Sequence, residues 1–387
     1  MPRLTSRVFR WAALGAALAC AYAMGAATGD PVRPRSAGQS RPLLDDAVGK
    51  IANDAAGQVP RGELDHAAID GMLRRIDDRW ARFYTAEQFG GVQNTLNGYY
   101  SGVGLWLDTI GTGTRIAGVQ PGAPADRAGV RAGDVISSVD GTPTRDLTVA
   151  EVAGALRGRP ATRVAFVVRR GENTVRFDLV RAAMASQDVM LSLAGDHVLM
   201  VRVAAFTRGV GREVRRAVLG RAERHSGVVL DLRGNPGGLL DEAVETASVF
   251  LTGGVVVIYE RSGARPERLD AAAGGDTATP LVVLVDGGTA SAAEVVAGSL
   301  RDRDRAVIVG SRTFGKGSVQ EPLRLADGSA IELTVGRYRT PSGRSLDGSG
   351  IDPDVAVNAD RPPREAERRA LTVLRGLLAT LPTKDRG

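Results

Sequence analysis

Cysteine is almost absent from this chain: of 387 residues only Cys20 carries a thiol. Cys20 lies inside an N-terminal segment that reads as a targeting signal. Without it the chain can form no disulfide, offers no cysteine nucleophile and supplies no thiolate metal ligand. Histidine is nearly as scarce, with His66, His197 and His225 the three present. His66 falls in a helical lead-in and His225 in a polar turn before a strand. None has a triad context, which argues against a Ser-His-Asp arrangement. No HExxH or clustered His/Asp signature offers a metal site, so neither metal nor cofactor is expected. Aromatic residues make up 4% of the chain, so its cores must be built mainly from Val, Leu and Ala. The same shortage leaves no aromatic-basic platform for nucleic acid. The formal charge of +6 therefore reads as an arginine-rich surface in which acids and bases interleave.

What remains is a globular composition, 43% apolar and 24% charged, on a chain long enough for two or three domains. The first 28 residues form an exception. Arg3, Arg7 and Arg10 precede a charge-free run from 11 to 28, the pattern of an export signal with small-residue cleavage sites near Ala23 and Ala27. The run also sits at the short limit for a membrane span, so an uncleaved anchor stays open beside a cleaved signal. Either reading places the protein outside the cytoplasm, secreted or in the cell envelope. Residues 29–42, rich in Pro, Gly, Ser and Arg, read as a linker.

Residues 43–97 are helical by pattern, with Leu64, Ile69, Met72, Leu73 and Ile76 at helical spacing. Such a lead-in suits packing or homo-oligomerisation better than chemistry. From Tyr99 the texture changes to short strands and glycine turns, and residues 98–182 read as a β-rich module. The stretch 118–141 carries a long pattern of Gly, Pro, Ala and Asp, from Gly122-Ala123-Pro124-Ala125 through Ala128-Gly129 and Gly133-Asp134 to Asp140-Gly141. This module resembles the PDZ domains found in bacterial protease-associated proteins. The resemblance implies capture of a peptide C-terminus by strand addition, with Ser101, Gly102, Val103 and Gly104 as the carboxylate loop. Arg157, at the end of a helix predicted over 148–156, would flank the groove. Its plainer reading is a solvated helix-end arginine favourable to the dipole.

Residues 183–360 alternate strands and helices, an α/β core. A closing helix and tail occupy 361–387. The expected architecture is thus α+β and multidomain: helical N-terminal region, PDZ-like module, α/β core.

Two short segments of that core stand out. Residues 285–294, Val-Asp-Gly-Gly-Thr-Ala-Ser-Ala-Ala-Glu, place Ser291 on a tight turn between the apolar strand 281–285 and a helix. A serine on a strand-to-helix elbow can be a nucleophile. It can equally cap the helix, since Glu294 three residues on completes a capping box. Residues 313–320, Thr-Phe-Gly-Lys-Gly-Ser-Val-Gln, put Lys316 in a glycine-flanked turn. A buried lysine can serve as base; a surface lysine is the plainer alternative. The stretch 310–317 nearly spells a phosphate-binding P-loop, but Gly317 replaces its Ser/Thr and a strand pattern follows where a helix is required. Residues 231–238, Asp-Leu-Arg-Gly-Asn-Pro-Gly-Gly, follow a buried strand, and their backbone N–H groups could form an oxyanion hole or merely a connector.

Together with Tyr338 to Arg344 and Gly350 to Asp354, these motifs resemble the carboxyl-terminal processing peptidases, across roughly residues 43–360. The resemblance implies a Ser-Lys endopeptidase with Ser291 as nucleophile, Lys316 as general base and Gln320 positioning the lysine. It also implies Gly237 and Ala292 as oxyanion donors, and protein substrates with accessible C-terminal tails. Here the elbow reads Thr289-Ala290-Ser291-Ala292-Ala293-Glu294 where the family usually has Ser-Ala-Ser-Ala-Ser-Glu. Two alternatives belong to other classes: a PDZ scaffold whose catalytic fold is inactive, and a hydrolase of a non-protein ester or amide.

Overall fold

The computed structural model describes residues 41–57, 59–110, 113–220 and 225–380. The expected export signal, Cys20 and nearly all of the linker lie outside the described residues. Two units are separable, one ending at Arg75 and the other beginning at Ile76. The first contains helices α1 (Arg41–Asp54) and α2 (Arg61–Arg75). An Asp46–Lys50 pair one turn apart and an Arg61–Asp45 contact at 3.0 Å hold polar faces. Burial is slight: α2 buries none of its residues, and Leu43, Leu44, Ile51 and Met72 are exposed.

The second unit opens with β1 (Arg82–Tyr84) and α3 (Ala86–Leu96), then β2 (Tyr99–Gly102). The PDZ-like module follows: β3 (Leu105–Ile110), β4 (Gly113–Val119), α4 (Pro124–Arg127), β5 (Val135–Val139), β6 (Thr142–Pro143), α5 (Val149–Leu156), β7 (Arg163–Arg170) and β8 (Asn173–Val180). Its antiparallel sheet runs β3-β4-β5-β7-β8 with β6 beside β5. The strands alternate as period-2 patterning requires. Val164, Phe166 and Val168 of β7 point inward onto Ile116, Ile136 and Val152. Thr148 caps α5 through a complete capping box with Glu151. Strand β9 (Ala182–Ala185) pairs with β2 as a separate two-stranded ribbon.

The core comprises β10 (Val189–Ala194), β11 (Val198–Val203), α6 (Val210–Leu219), β12 (Gly227–Asp231), α7 (Leu240–Ser248), β13 (Val255–Arg261), β14 (Glu267–Asp270), β15 (Leu281–Val285), α8 (Ala292–Asp302), β16 (Val307–Gly310), β17 (Ser318–Arg324), β18 (Ala330–Arg339), β19 (Val355–Ala356) and α9 (Pro363–Thr380). Its main sheet has the order β10-β11-β12-β15-β16-β19, parallel from β11 onward. A parallel sheet needs both faces covered, and β15 shows how. Leu281, Val283 and Val285 face a cluster that includes α6, α7 and α8, whereas Val282 and Leu284 face α9. All five are buried, each worth about 1.5–3 kcal/mol of transfer free energy. A second sheet, β1-β18-β13-β14 with β17 beside β18, carries the β17–β18 hairpin. Among the described residues no helix is long and apolar enough to cross a membrane.

Candidate active site

Strands β12, β15 and β16 are parallel neighbours, so the loops that follow them leave the sheet at one end. Ligands of open α/β sheets bind at the carboxyl ends of the strands. The loop after β12 is the 231–238 motif, the turn after β15 ends at Ser291, and the segment after β16 carries Lys316. Three motifs separated by up to 85 residues in sequence (316 − 231) thus meet because of strand order.

The elbow is strained. Ser291 has φ 56° and ψ −120°, a backbone state that costs a non-glycine residue about 1–3 kcal/mol. Polar contacts around the turn compensate. Asp286 Oδ1 accepts from the N–H groups of Gly234 and Gly288 at 2.8 and 2.9 Å, and Thr289 Oγ1 donates to Leu232 O at 2.9 Å. Ala290 N–H donates to Asn235 O at 2.9 Å. Gly237 must be glycine: its φ is 103°, and a Cβ there would lie 2.9 Å from Ser291 Cβ and 3.1 Å from Ala292 N. Residues Gly237 and Ala292 are therefore packed against the elbow.

Glu294 does more than cap its helix. Ser291 and Glu294 form the expected capping box, in which Glu294 Oε2 accepts from Ser291 N–H at 2.9 Å. The same oxygen accepts from Lys316 N–H at 2.9 Å. Its other oxygen accepts from Gly315 N–H at 2.8 Å and from the Thr313 hydroxyl, which itself accepts from Ile351 N–H at 2.8 Å. Glu294 is wholly buried and has only donors around it. It joins the backbone of the serine elbow to the backbone of the lysine turn. Its presence at the third helical position was the available signal; its long-range partners were not.

Lys316 is half-buried, and that burial, with Arg82 nearby, pushes its ammonium below the usual lysine range against the opposing charge of Glu332. Its Nζ lies 4.7 Å from the centre of the Trp80 ring. Among the described residues Nζ makes no hydrogen bond to Ser291 Oγ. Gln320 lies in β17, and its amide donates to Ser318 Oγ at 3.0 Å and Thr334 Oγ1 at 3.2 Å rather than to the lysine. The Gly237 N–H is likewise engaged, donating to Asn235 Oδ1 at 2.8 Å. The side chain of Asn235 also donates to Val203 O at 2.9 Å, so the loop is anchored to the sheet. Beneath it, buried Arg233 pairs bidentately with Asp231 at 2.8 and 2.7 Å and reaches Pro363 O and Glu367 of α9.

The structure divides the expected peptide loop between a strand and a turn. Ser101 and Gly102 belong to β2, paired with Ala183 and Ala182 of β9, because the ribbon continues across them. Only Val103 and Gly104 lie between strands, with Gly104 at φ 83°. Arg157 is brought beside this segment, its Cγ within 3.8 Å of a Cβ placed on Gly102. The carbonyls at the end of α5 are taken by Arg181, which donates to Ala155 O and Leu156 O at 2.9 and 3.1 Å. Arg157 is thus left exposed and free of the side-chain capping duty.

The fold and site define a PDZ-bearing peptidase. The profile of peptidase family S41 matches residues 197–357, and that of the PDZ domain matches residues 115–170. The chain is 35% identical over 304 residues to a "Carboxyl-terminal-processing protease" of Synechocystis, covering 76% of this chain and 71% of that one. It is 33% identical over 303 residues to a "Probable CtpA-like serine protease" of Staphylococcus aureus, covering 77% of this chain and 61% of that protein. Among solved structures, a "photosystem II D1 C-terminal processing protease" superposes with a TM-score of 0.53 at 32% identity, covering 86% of this chain and 91% of that one. This chain belongs to peptidase family S41: it is a serine-type peptidase of the carboxyl-terminal processing group, with a PDZ domain.

Proposed function

We propose that the protein is an exported endopeptidase that cuts other proteins near exposed C-terminal tails by a Ser-Lys mechanism. The observation that carries this reading is Glu294, whose one oxygen accepts from both Ser291 N–H and Lys316 N–H. In the reaction Ser291 Oγ attacks the scissile carbonyl while neutral Lys316 Nζ takes its proton. The backbone N–H groups of Gly237 and Ala292 receive the oxyanion. Lys316 then returns the proton to the leaving amine, and water activated by the same amine hydrolyses the acyl-enzyme. Gln320, through Ser318 and Thr334, holds the base of the lysine turn. The PDZ domain (98–182) would recruit the tail along Ser101, Gly102, Val103, Gly104 and Arg157, ahead of a catalytic core spanning 183–360. The apolar residues left exposed on α1 and α2 are the surface on which a second copy would pack. The N-terminal signal would export the chain and either be removed or anchor it. Incubation of the protein with an unfolded substrate, beside Ser291→Ala and Lys316→Ala, tests the reading. Only the unaltered protein should cut. Cleavage by Ser291→Ala at near its rate would refute the nucleophile, and no cleavage by any of the three would favour a PDZ scaffold.

A further inference from the structure

The segment carrying Trp80 is fixed with more care than a surface loop requires. Asp78 Oδ1 accepts from Trp80 N–H at 3.0 Å, and Ala81 N–H donates to Asp78 O at 3.0 Å, closing a tight turn. The same carboxylate accepts from Thr334 N–H at 2.8 Å and Thr334 Oγ1 at 2.9 Å, pinning the turn to β18. Thr334 Oγ1 is in turn the acceptor for Gln320 at 3.2 Å. Strand β1 then adds to β18 with Arg82 opposite Glu332. The product of these constraints is one half-buried indole, 4.7 Å from Lys316 Nζ and 6.3 Å from the Phe314 ring.

We propose that Trp80 is a positioning residue that seats the Lys316 ammonium away from Ser291, so that the lysine must leave the indole before it can act as base. The proposal rests on the Ser-Lys reading above. An indole face attracts a cation through its quadrupole and has no such hold on a neutral amine. The seat therefore favours the charged lysine, which cannot accept a proton, and holds it where it makes no hydrogen bond to Ser291 Oγ. Other charges surround the ammonium: Arg82 and Glu332 across β1 and β18, and Arg79, whose guanidinium lies 4.9 Å from the same indole. Asp78 lies under the turn, Asp347 packs beside Gly317, and Glu294 holds the lysine's own N–H. Among the described residues none of these carboxylates makes a hydrogen bond to Nζ, and Trp80 is the partner that contacts it.

The test is the rate at which a fluorophosphonate probe labels Ser291, followed across pH with the full-length protein. Trp80→Leu keeps an apolar cover over the lysine and removes the ring. It should label faster at neutral pH by about 2- to 30-fold, the range a cation–π contact spans between exposed and desolvated sites. The midpoint of its pH profile should move toward acid, because the charged form has lost a stabilising partner while burial is kept. Trp80→Phe, with a weaker ring, should fall between. A role limited to holding the fold would not move the midpoint in that direction. A folded Trp80→Leu that labels no faster overturns the proposal, and should that variant fail to fold, a folded Trp80→Phe that labels no faster does so. Lys316→Met keeps the two readings apart. If it labels like the unaltered protein, the Ser-Lys assignment itself falls, whatever Trp80 does.

Discussion

Replacing Glu294 by glutamine is the sharpest probe of the site. The two side chains have one shape, so packing is preserved. What changes is hydrogen-bond capacity: the carboxylate accepts four bonds, from Ser291 N–H, Lys316 N–H, Gly315 N–H and the Thr313 hydroxyl. An amide has one accepting oxygen and one donating nitrogen. Whichever way it is turned, the nitrogen faces two donors. Each donor left buried without a partner costs about 1–3 kcal/mol, so the joint between elbow and lysine turn loses about 2–6 kcal/mol. A loss of that size separates the two backbones or lets water in. Misplacing a catalytic group by about 1 Å costs on the order of 100-fold in rate. The value of kcat/KM on an unfolded substrate should therefore drop by about 100-fold or more, with a lower denaturant midpoint measured in parallel. The Thr313 hydroxyl can rotate, which places the loss toward the lower end if the nitrogen faces Thr313 and Gly315. Glu294→Gln that keeps kcat/KM within about two-fold while folded would show that the carboxylate is no joint, and the argument from its four donors would fail.

Further outcomes follow from other parts of the site. Activity should rise with pH through a midpoint below the ~10.4 of a free lysine, since the proposed Ser-Lys mechanism needs a neutral Lys316 and burial depresses its pKa; a pH profile of kcat/KM unchanged by Lys316→Met would place the base elsewhere. Arg233→Met should destabilise the core by about 3 kcal/mol, the lower end for breaking a buried pair, because Asp231 loses its bidentate partner and keeps the residue-233 N–H and a contact to Arg202 at 3.3 Å; an unfolding free energy lowered by less than a fifth of that would refute the buried-pair reasoning. A substrate tail ending in a free carboxylate should be cut faster than its amidated form, and Arg157→Ala should shrink the difference. An equal advantage in the variant would return Arg157 to an ordinary helix-end residue.

Much of this was legible in the sequence wherever the determinants are local. The run 281–285 is apolar at every position and bounded by Pro280 and Asp286, which marks a strand buried on both faces, and it is one. The hairpin at Asp327-Gly328 and the helix over 149–156 follow from turn chemistry and a capping box in the same way. The losses are all long-range. Strand β1 has three residues and is hidden within a lead-in of helical pattern, because it exists only by pairing with β18 some 250 residues on. Ser101 and Gly102 carry a loop pattern in sequence because β9, their partner, is 80 residues away. Glu294 showed its helix-capping role and hid its three other donors for the same reason. Trp80 carries no motif at all; its meaning comes from the turn that Asp78 clamps onto Thr334.

Two facts about the site pull in different directions, and under the proposed Ser-Lys mechanism they are reconciled: the frame is rigid and the reacting groups move. Glu294 fixes the main chains of Ser291 and Lys316 to one another, yet Nζ rests on Trp80 and the Gly237 N–H is engaged by Asn235. The parts that are fixed are backbone, held by buried groups with no alternative partners. The parts that are out of place are one four-carbon side chain and one peptide N–H. Freeing the lysine costs about 0.5–2 kcal/mol of cation–π contact, and releasing a neutral hydrogen bond about 0.5–1.5 kcal/mol. These costs lie within what contacts to a bound peptide supply, whereas separating the elbow from the lysine turn at Glu294 does not. Loss of the Glu294 carboxylate and loss of the Trp80 ring should therefore move the rate in opposite directions: the first removes the frame on which the dyad is built, and the second removes the restraint on its moving part.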